Sequence, residues 1–239
     1  MQSTNKLILD IETVGEDFDK LDHATQDNLT RWIKKDSDNE EEYKRALEEL
    51  KSGLGFSPLT GEIVAIGVLD YHKNEGGVYY QSPGVKAEET KEEGISFKAM
   101  TEEEMLRKFW ELAARYQVFI TFNGRSFDVP FLMIRSAIKG VRPTKDLMRG
   151  RYLYQNNPEA LHIDLFEQLT FYGATRRKGG LHLWSRAFGI PSPKSGGVTG
   201  DDVGPLFKKK KFLEIAKYNA LDIRATRELY TKWEQYLSF

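Results

Sequence analysis

Several acidic residues of this sequence lie among apolar neighbours. Asp10 and Glu12 are two positions apart in the segment 6–13 (KLILDIET), whose apolar residues predict a strand buried on both faces. Side chains two apart on a strand point to the same face, so the two carboxylates would lie together. Two like charges in a buried strand destabilise the fold unless they are compensated, and a cation is the simplest compensation. The alternative is that the pair lies at a frayed strand end, in water.

A third carboxylate, Asp128, follows an apolar segment that ends at Phe122 and precedes a segment with helical spacing. An aspartate just before a helix is most simply an N-cap, whose side chain accepts a hydrogen bond from the first helical turn. Taken alone, Asp128 therefore favours a structural role.

Tyr218 and Asp222 are four apart in a long amphipathic segment, KYNALDIRATRELY, that predicts a helix. Residues at i and i+4 share one face of a helix, so the phenol and the carboxylate would be neighbours. An aspartate in the middle of a helix has poor intrinsic propensity and no helix end to cap. A purely structural role therefore fits Asp222 poorly.

The chemistry open to these acids is limited by what the chain lacks. It has no cysteine, which excludes disulfides and thiolate metal sites. It also lacks the phosphate-binding loop GxxxxGK[ST]. Carboxylate oxygens are hard ligands that favour Mg²⁺ or Mn²⁺ over softer metals. The acids therefore predict a site for such ions.

Together the three segments resemble the three exonuclease motifs of the DEDD superfamily. They are Asp-x-Glu at 10–12, Asn-x-x-x-Phe-Asp at 123–128 and Tyr-x-x-x-Asp at 218–222. The sister branch carries a histidine five residues before the last Asp; here that position is Lys217, so the sequence resembles the tyrosine branch. NGRSFDVPFL and YNALD are particularly similar to the proofreading exonuclease domain of family B DNA polymerases. The resemblance spans residues 6–239, and the chain is similar to stand-alone bacterial proteins predicted to be related exonucleases.

This resemblance implies a 3′-5′ exonuclease that uses two Mg²⁺ or Mn²⁺ ions. Two divalent ions roughly 4 Å apart suit phosphodiester hydrolysis, because they activate water and neutralise the phosphoryl oxygens and the leaving oxygen. The resemblance implies that Asp10 bridges both ions and that Glu12 and Asp222 complete the site that activates water. Asp128 would hold the second ion. The resemblance also implies that Tyr218 orients the attacking water through its hydroxyl. An unperturbed tyrosine pKa near 10 makes a poor general base unless the metal assists.

Further residues are expected to contact the substrate, a single-stranded nucleic acid with a free 3′ end. By resemblance, Asn123 and Phe127 would contact the terminal nucleotide, with the phenylalanine as a stacking surface. Core packing explains Phe127 equally well, and Thr13 is a third expected contact. Backbone phosphates are expected at Arg176, Arg177 and Lys178, with Lys194 and Lys208 to Lys211 as further candidates. Structural roles are expected for Asp164, His162 and His182.

The elements that must position these residues follow from hydrophobic periodicity. Five strands are predicted at 6–13, 62–71, 77–81, 118–122 and 161–165. Helices are predicted at 101–116, with a capping box of Thr101 and Glu104, and at 129–139, 166–172, 181–188 and 208–237. Residues 82–100 and 189–205 are predicted loops, and 16–52 a charged elaboration of two helices separated at 36–42.

Strand spacing predicts how these elements assemble. The first three strands have short connections and predict an antiparallel meander, and the later strands, separated by helices, add in parallel. The expected fold is a mixed five-stranded α/β sheet with helices on both faces, RNase H-like by resemblance. One exonuclease domain is expected over 1–239.

Charge is unevenly distributed along the chain, whose net charge is −1. Residues 1–120 hold 25 acids and 15 bases, a net of −10, and residues 121–239 hold 11 acids and 20 bases, a net of +9. A basic face can bind a polyanion by releasing condensed counterions. Solvated surface lysines explain the excess as well.

The sequence has neither a signal peptide nor 18 consecutive apolar residues, so no membrane association is expected and the cytoplasm is the expected compartment. The polymerase-like motifs favour DNA as the substrate. The alternatives are an exoribonuclease or oligoribonuclease on the same scaffold, a non-catalytic nucleic-acid-binding module and a structural cation site. The sequence does not identify a protein partner.

Overall fold

The computed structural model describes residues 4–176, 179–192 and 197–238. The strands among these residues are β1 (Lys6–Gly15), β2 (Gly61–Asp70), β3 (Glu75–Tyr80), β4 (Thr90–Glu92), β5 (Ile95–Ala99), β6 (Val118–Thr121) and β7 (Leu161–Asp164). The α-helices are α1 (His23–Asp36), α2 (Glu40–Gly53), α3 (Glu102–Ala113), α4 (Asp128–Ile138), α5 (Leu165–Leu169), α6 (Leu181–Ala187), α7 (Val203–Lys208) and α8 (Phe212–Tyr236). Within the described ranges, no helix is long and apolar enough to cross a membrane.

The strands form one mixed sheet in the order β4-β5-β3-β2-β1-β6-β7. β1, β2 and β3 pair antiparallel, as the predicted meander requires, and β6 and β7 add in parallel beside β1. β1 therefore lies between an antiparallel and a parallel neighbour, and the sequence-based prediction of a mixed sheet is confirmed.

The predicted number of five strands is wrong, because the sheet has seven. The two additional strands, β4 and β5, lie within residues 82–100, which were predicted to be a loop. β4 is three exposed residues, and in β5 only Ile95 and Phe97 are buried. Short, charged strands are typical of sheet edges, where they limit pairing with other chains. β5 pairs with β3, and β4 pairs with β5, and local sequence does not reveal either pairing.

Two predicted helices also differ from the structure. The helix predicted at 208–237 begins only at Phe212, because the chain turns after Lys208 and Lys210 adopts a positive φ of 58°. The predicted loop 189–205 is wrong at its end, where α7 begins at Val203. The helix predicted at 166–172 is shorter, because Phe171 and Tyr172 both have positive φ after α5 ends. In contrast, the capping box of Thr101 and Glu104 is present at the start of α3, and α1 and α2 lie where the two charged helices were predicted.

Apolar residues pack on both faces of the sheet, as predicted. Leu7, Leu9 and Ile11 of β1 join the cluster formed with α3 and α4. Ile8 joins the opposite cluster, to which α8 contributes Ile215, Ala216, Ala220 and Ile223 among others. Because strand side chains alternate, Asp10 and Glu12 share the Ile8 face, on which α8 packs. The packing therefore presents both carboxylates to α8.

Candidate active site

The closest group of acids consists of Asp10, Glu12 and Asp222. One carboxylate oxygen from each lies within 4.8 Å of the other two. β1 supplies the first two residues, and α8, which packs across β1 and β2, supplies the third. Glu12 and Asp222 are 7% and 8% exposed, so water compensates little of their charge. The structure thus brings together acids that are about 210 residues apart in sequence.

Asp128 reaches the same region by a different route. β6 pairs with β1 only from Lys6 to Ile8, so the backbone of β1 beyond Ile8 has no strand on that side. The chain leaves β6, turns, and begins α4 at Asp128, whose Oδ1 accepts a hydrogen bond of 3.0 Å from the Ile11 amide. Asp128 is therefore not the N-cap, which is Phe127; its buried side chain binds the backbone between Asp10 and Glu12.

Burial and mutual repulsion raise the pKa of these carboxyl groups. The pKa of Asp10 is raised well above its usual value by desolvation first and then by Asp128, Asp222 and Glu12. Desolvation, followed by Asp222, raises the pKa of Glu12 in the same way. Desolvation also raises the pKa of Asp128 to about 7, although hydrogen bonding to the Ile11 amide opposes the shift. The protein therefore compensates the negative charge of these carboxylates poorly.

Tyr218 lies one turn before Asp222 on α8 and is half-buried. Desolvation, and then the charge of Asp222, raise the pKa of its phenol far above the usual value. The hydroxyl therefore stays protonated at neutral pH and donates a hydrogen bond to Asp222. In this protonated form it can donate a hydrogen bond to a polar group in the cleft.

The donor set fits divalent cations. All ligands available in the cluster are carboxylate oxygens, which Mg²⁺ and Mn²⁺ prefer. The carboxylates are buried together, and no lysine or arginine is among the causes of their raised pKa values. An ion bound there would compensate the charges that the chain itself leaves uncompensated.

The acids line a cleft of about 460 Å³. The other residues that line it are Ile11, Phe56, Phe122, Asn123, Ser126, Phe127 and Tyr218. A smaller pocket of about 300 Å³ shares Asp10, Phe122, Tyr218 and Asp222 with it and extends along Gly180, Leu181, His182 and Leu183. Asn123 and Phe127, two of the residues predicted to bind substrate, thus lie beside the acids.

Phe56 is a cleft residue that the sequence analysis missed. It ends the 3₁₀ turn Leu54–Phe56 after α2, is 69% exposed, and meets Phe127 edge to face with ring centroids 6.3 Å apart. The available signal was a phenylalanine in a turn-rich segment rich in glycine and proline, where an apolar ring is seldom needed for packing. The pocket wall at 180–183 was missed as well.

Other predicted residues have structural partners. The Thr13 hydroxyl donates to the Gly55 carbonyl, 2.7 Å away, and Thr13 does not line the cleft. Asp164 accepts hydrogen bonds from the backbone amides of Asn123 and Arg125 and so holds the loop that carries Asn123 in a positive φ of 65°. His162 is buried between Thr121 and the Leu147 carbonyl, as expected of a structural histidine.

His182 hydrogen bonds to Ser192, yet it also lines the smaller pocket. Only some of the basic residues expected to bind phosphates are among the described residues. Arg176 and the run from Lys208 to Lys211 are exposed and do not line the cleft. Arg177, Lys178 and Lys194 lie outside the described residues.

Comparisons with known proteins agree with this fold. DNA polymerase 1 of Sulfurisphaera ohwakuensis is 21% identical over 173 residues, which cover 66% of this chain and 19% of the polymerase. The structure of the family B DNA polymerase from the archaeon Pyrobaculum calidifontis superposes with a TM-score of 0.61 at 16% identity, covering 97% of this chain and 24% of that one. The chain therefore corresponds to a fraction of each polymerase's length, and the structural likeness concerns the fold.

A family model described as a predicted 3′-5′ exonuclease related to the exonuclease domain of PolB matches residues 62–238. The match includes the segments that carry Asp128, Tyr218 and Asp222, and Asp10 and Glu12 lie before it. The chain belongs to this family of predicted 3′-5′ exonucleases related to the exonuclease domain of PolB.

Proposed function

We propose that this protein removes nucleoside monophosphates one at a time from the 3′ end of single-stranded DNA, using two Mg²⁺ or Mn²⁺ ions held by four carboxylates. The observation that supports the proposal most directly is the buried group of Asp10, Glu12 and Asp222, whose oxygens lie within 4.8 Å of one another. Asp128, bound to the strand between the first two, is the fourth acid of the cleft. The proposed exonuclease unit is the whole chain, residues 1–239.

The ions, when bound, would lower the pKa of the attacking water and neutralise charge on the scissile phosphate and the leaving 3′-oxygen. The four carboxylates would hold them, and each carboxylate is positioned by regular secondary structure. β1 and α8 are rigid elements, which place ligands more accurately than loops do. Asp128 is additionally fixed by its hydrogen bond to Ile11.

Tyr218 would position the attacking water. Its protonated hydroxyl already donates to Asp222, and its ring lines the cleft beside Asp10. A hydroxyl held at this place can orient a water molecule without taking its proton. The contribution expected of one such positioning group is about 10–1000-fold in rate.

The apolar walls would bind the terminal base. Phe127 and Phe56 form an edge-to-face pair on one side of the cleft, and Phe122 borders both pockets. Stacking on an aromatic ring stabilises a base by about 1–3 kcal/mol and tolerates any base. A single strand is favoured because a paired terminal nucleotide would have to leave its partner to enter a recessed site. Asn123 would contact the same nucleotide.

Phosphates farther from the cut would meet the basic part of the chain. Its net charge of +9 over residues 121–239 supports binding of a polyanion. Arg176, Arg177 and Lys178 are the proposed contacts, with the exposed run from Lys208 to Lys211 as a further candidate.

The test is a degradation assay on 5′-labelled single-stranded DNA and RNA of the same sequence. With Mg²⁺ or Mn²⁺ we expect a ladder of DNA products that shortens from the 3′ end by single nucleotides, and no products with EDTA. Asp10→Asn should be inactive, and Glu88→Ala, which removes an exposed carboxylate, should be as active as wild type. Faster RNA degradation would assign the protein as an exoribonuclease, and activity in EDTA would contradict the metal mechanism.

A further inference from the structure

Asn219 is a fully buried polar residue beside the acidic cluster that the proposed reaction leaves without a role. It lies on α8 next to Tyr218, with 0% of its surface exposed. Its Nδ2 donates a hydrogen bond of 2.7 Å to Oδ2 of Asp10. The same side chain also hydrogen bonds to the Glu12 carboxylate. One amide group on the helix is thus shared by the two carboxylates on the strand.

The other end of this amide has no polar partner among the described residues. Oδ1 of Asn219 is buried and accepts no hydrogen bond. It lies against Gly67 of β2, the residue paired with Asp10 across the sheet. A Cβ added at Gly67 would be 2.0 Å from this oxygen, far inside van der Waals contact. The absence of a side chain at position 67 is therefore what allows the amide to lie there.

These contacts fix the orientation of the amide. If the group were rotated by 180°, the oxygen would face the carboxylate of Asp10 and the NH₂ group would face the Cα of Gly67. Two acceptors would then oppose each other in a buried site, which is unfavourable. The donor end therefore faces the carboxylates, and the buried acceptor without a partner is the energetic cost of that orientation.

We propose that Asn219 is a positioning residue that holds Asp10 and Glu12 in the orientation for metal binding, and that Gly67 provides the space this requires. The inference rests on the proposed function, since it concerns the ligands of the same ions. As a positioning residue, Asn219 acts through the two carboxylates, by restricting their rotation. Residues that orient ligands in this way contribute about 10–100-fold to metal affinity or activity.

Titration of the purified protein with Mn²⁺ by calorimetry tests the inference without any substrate. Asn219→Leu replaces the amide by an apolar group of similar shape, and Asn219→Ala removes it without steric demand. Both variants lack the NH₂ donor of Asn219, so a loss of Mn²⁺ affinity that they share is due to the lost hydrogen bonds. We expect Mn²⁺ to bind about 10–100-fold more weakly to both variants.

Thr226 offers a matched control on the same helix. It is 1% exposed, and its hydroxyl has no hydrogen-bond partner among the described residues. Thr226→Val therefore also replaces a buried polar group of α8 by an apolar one, and Mn²⁺ affinity should not change. Gly67→Ala tests the same contact from the side of β2. The added methyl group should displace the Asn219 amide and weaken Mn²⁺ binding.

A second measurement separates positioning from a loss of structure. In the Asn219 variants, the Mn²⁺ concentration for half-maximal nuclease activity should rise, the KM for the oligonucleotide should stay unchanged, and excess Mn²⁺ should restore turnover. A merely structural defect would not be rescued by metal. Unchanged Mn²⁺ affinity in both variants would overturn the inference alone, whereas failure of the wild-type protein to bind Mn²⁺ would overturn the proposed function together with it.

Discussion

β1 and α8 contact each other at two places. At one of them the protein compensates the carboxylate charge, and at the other it does not. Toward the end of α8, Glu234 accepts hydrogen bonds from Lys6, Tyr71 and Tyr230. Burial raises the pKa of Glu234, but hydrogen bonds from Lys6 and Tyr230 outweigh it and lower the pKa overall. Toward the middle of α8, Asp222 lies with Asp10 and Glu12, and desolvation and neighbouring acids raise the pKa of both strand carboxylates.

This difference distinguishes carboxylates that stabilise the fold from carboxylates that are suited to bind a cation. Glu234 is compensated by groups of the chain itself, so the folded protein needs nothing further there. Glu102 is another example, because it is buried and forms hydrogen bonds with Arg135 and the Ile63 amide. At the acidic cluster the described residues supply hydrogen bonds but no positive charge. Variants at the acidic cluster and variants at Glu234 should therefore differ in their effects on activity and on stability.

The largest expected contrast is in catalysis. Asp10→Asn and Asp222→Asn should each reduce nuclease activity by about 1000-fold or more, since an ion contributes several kcal/mol to the transition state. Their metal-free melting temperatures should hold or rise, because a repulsive charge is removed. Glu234→Gln should behave in the opposite way, with normal activity and a lower melting temperature. The contrast fails if Glu234→Gln loses activity as severely as the other two.

Tyrosines at the two places give the next contrast. Tyr218→Phe should lower kcat by about 10–1000-fold without preventing Mn²⁺ binding, because the positioning hydroxyl is lost while all four carboxylates remain. Tyr230→Phe removes a hydroxyl that donates to Glu234, so it should lower stability by about 1 kcal/mol and leave kcat unchanged. Single-turnover kinetics and thermal melts measure both. Wild-type kcat in Tyr218→Phe would assign that ring to packing alone.

Stability of the metal-free protein should depend on pH through the acidic cluster. The folded-state pKa of Asp128 is about 7, against an unfolded value near 4, so the folded state binds more protons between these values. The stabilisation is fully present below about pH 4 and is lost as pH rises through about 7. In EDTA, melting temperature should therefore fall between pH 5 and pH 8, by about 2–4 °C for each kcal/mol lost in a chain of this size.

Saturating Mn²⁺ should remove this fall, because the bound ion compensates the ionised carboxylates. Glu234 contributes with the opposite sign, since its lowered pKa gives stability that is lost as pH decreases. Asp222→Asn should flatten the decline seen in EDTA. A metal-free melting temperature that is independent of pH between 5 and 8 would contradict the assignment of uncompensated acids.

The smallest effect on stability is expected beside Glu234, whose charge the protein compensates. Lys6→Met removes the positive partner of Glu234, but this carboxylate is partly exposed and keeps its two tyrosine donors. The loss should be no more than about 1 kcal/mol, as is usual for partly solvated ion pairs. Activity should be normal. A large loss of activity in Lys6→Met would mean that the region of Glu234 is coupled to the acidic cluster, and it would contradict the proposed difference between the two places.

The sequence by itself determined the relations within single elements. Asp10 and Glu12 share a strand face, and Tyr218 and Asp222 share a helix face, because the periods of a strand and a helix are properties of the local backbone. The order of the three motifs identified the family, and the meander and both helix layers followed from apolar spacing. β4 has no apolar residue, and the apolar alternation of β5 covers only five residues inside a charged segment, so neither was recognised as a strand.

Only the tertiary structure decided how these elements meet. It placed Asp128 on the Ile11 amide because β6 ends where β1 continues, so that the start of α4 meets an unpaired part of the strand. It also brought Phe56 to the cleft and seated Asn219 against Gly67. These contacts join residues far apart in the chain, and they form only when the sheet order and the packing of both faces bring the elements together. Local periodicity carries no information about such distances, so the completed site is a property of the fold.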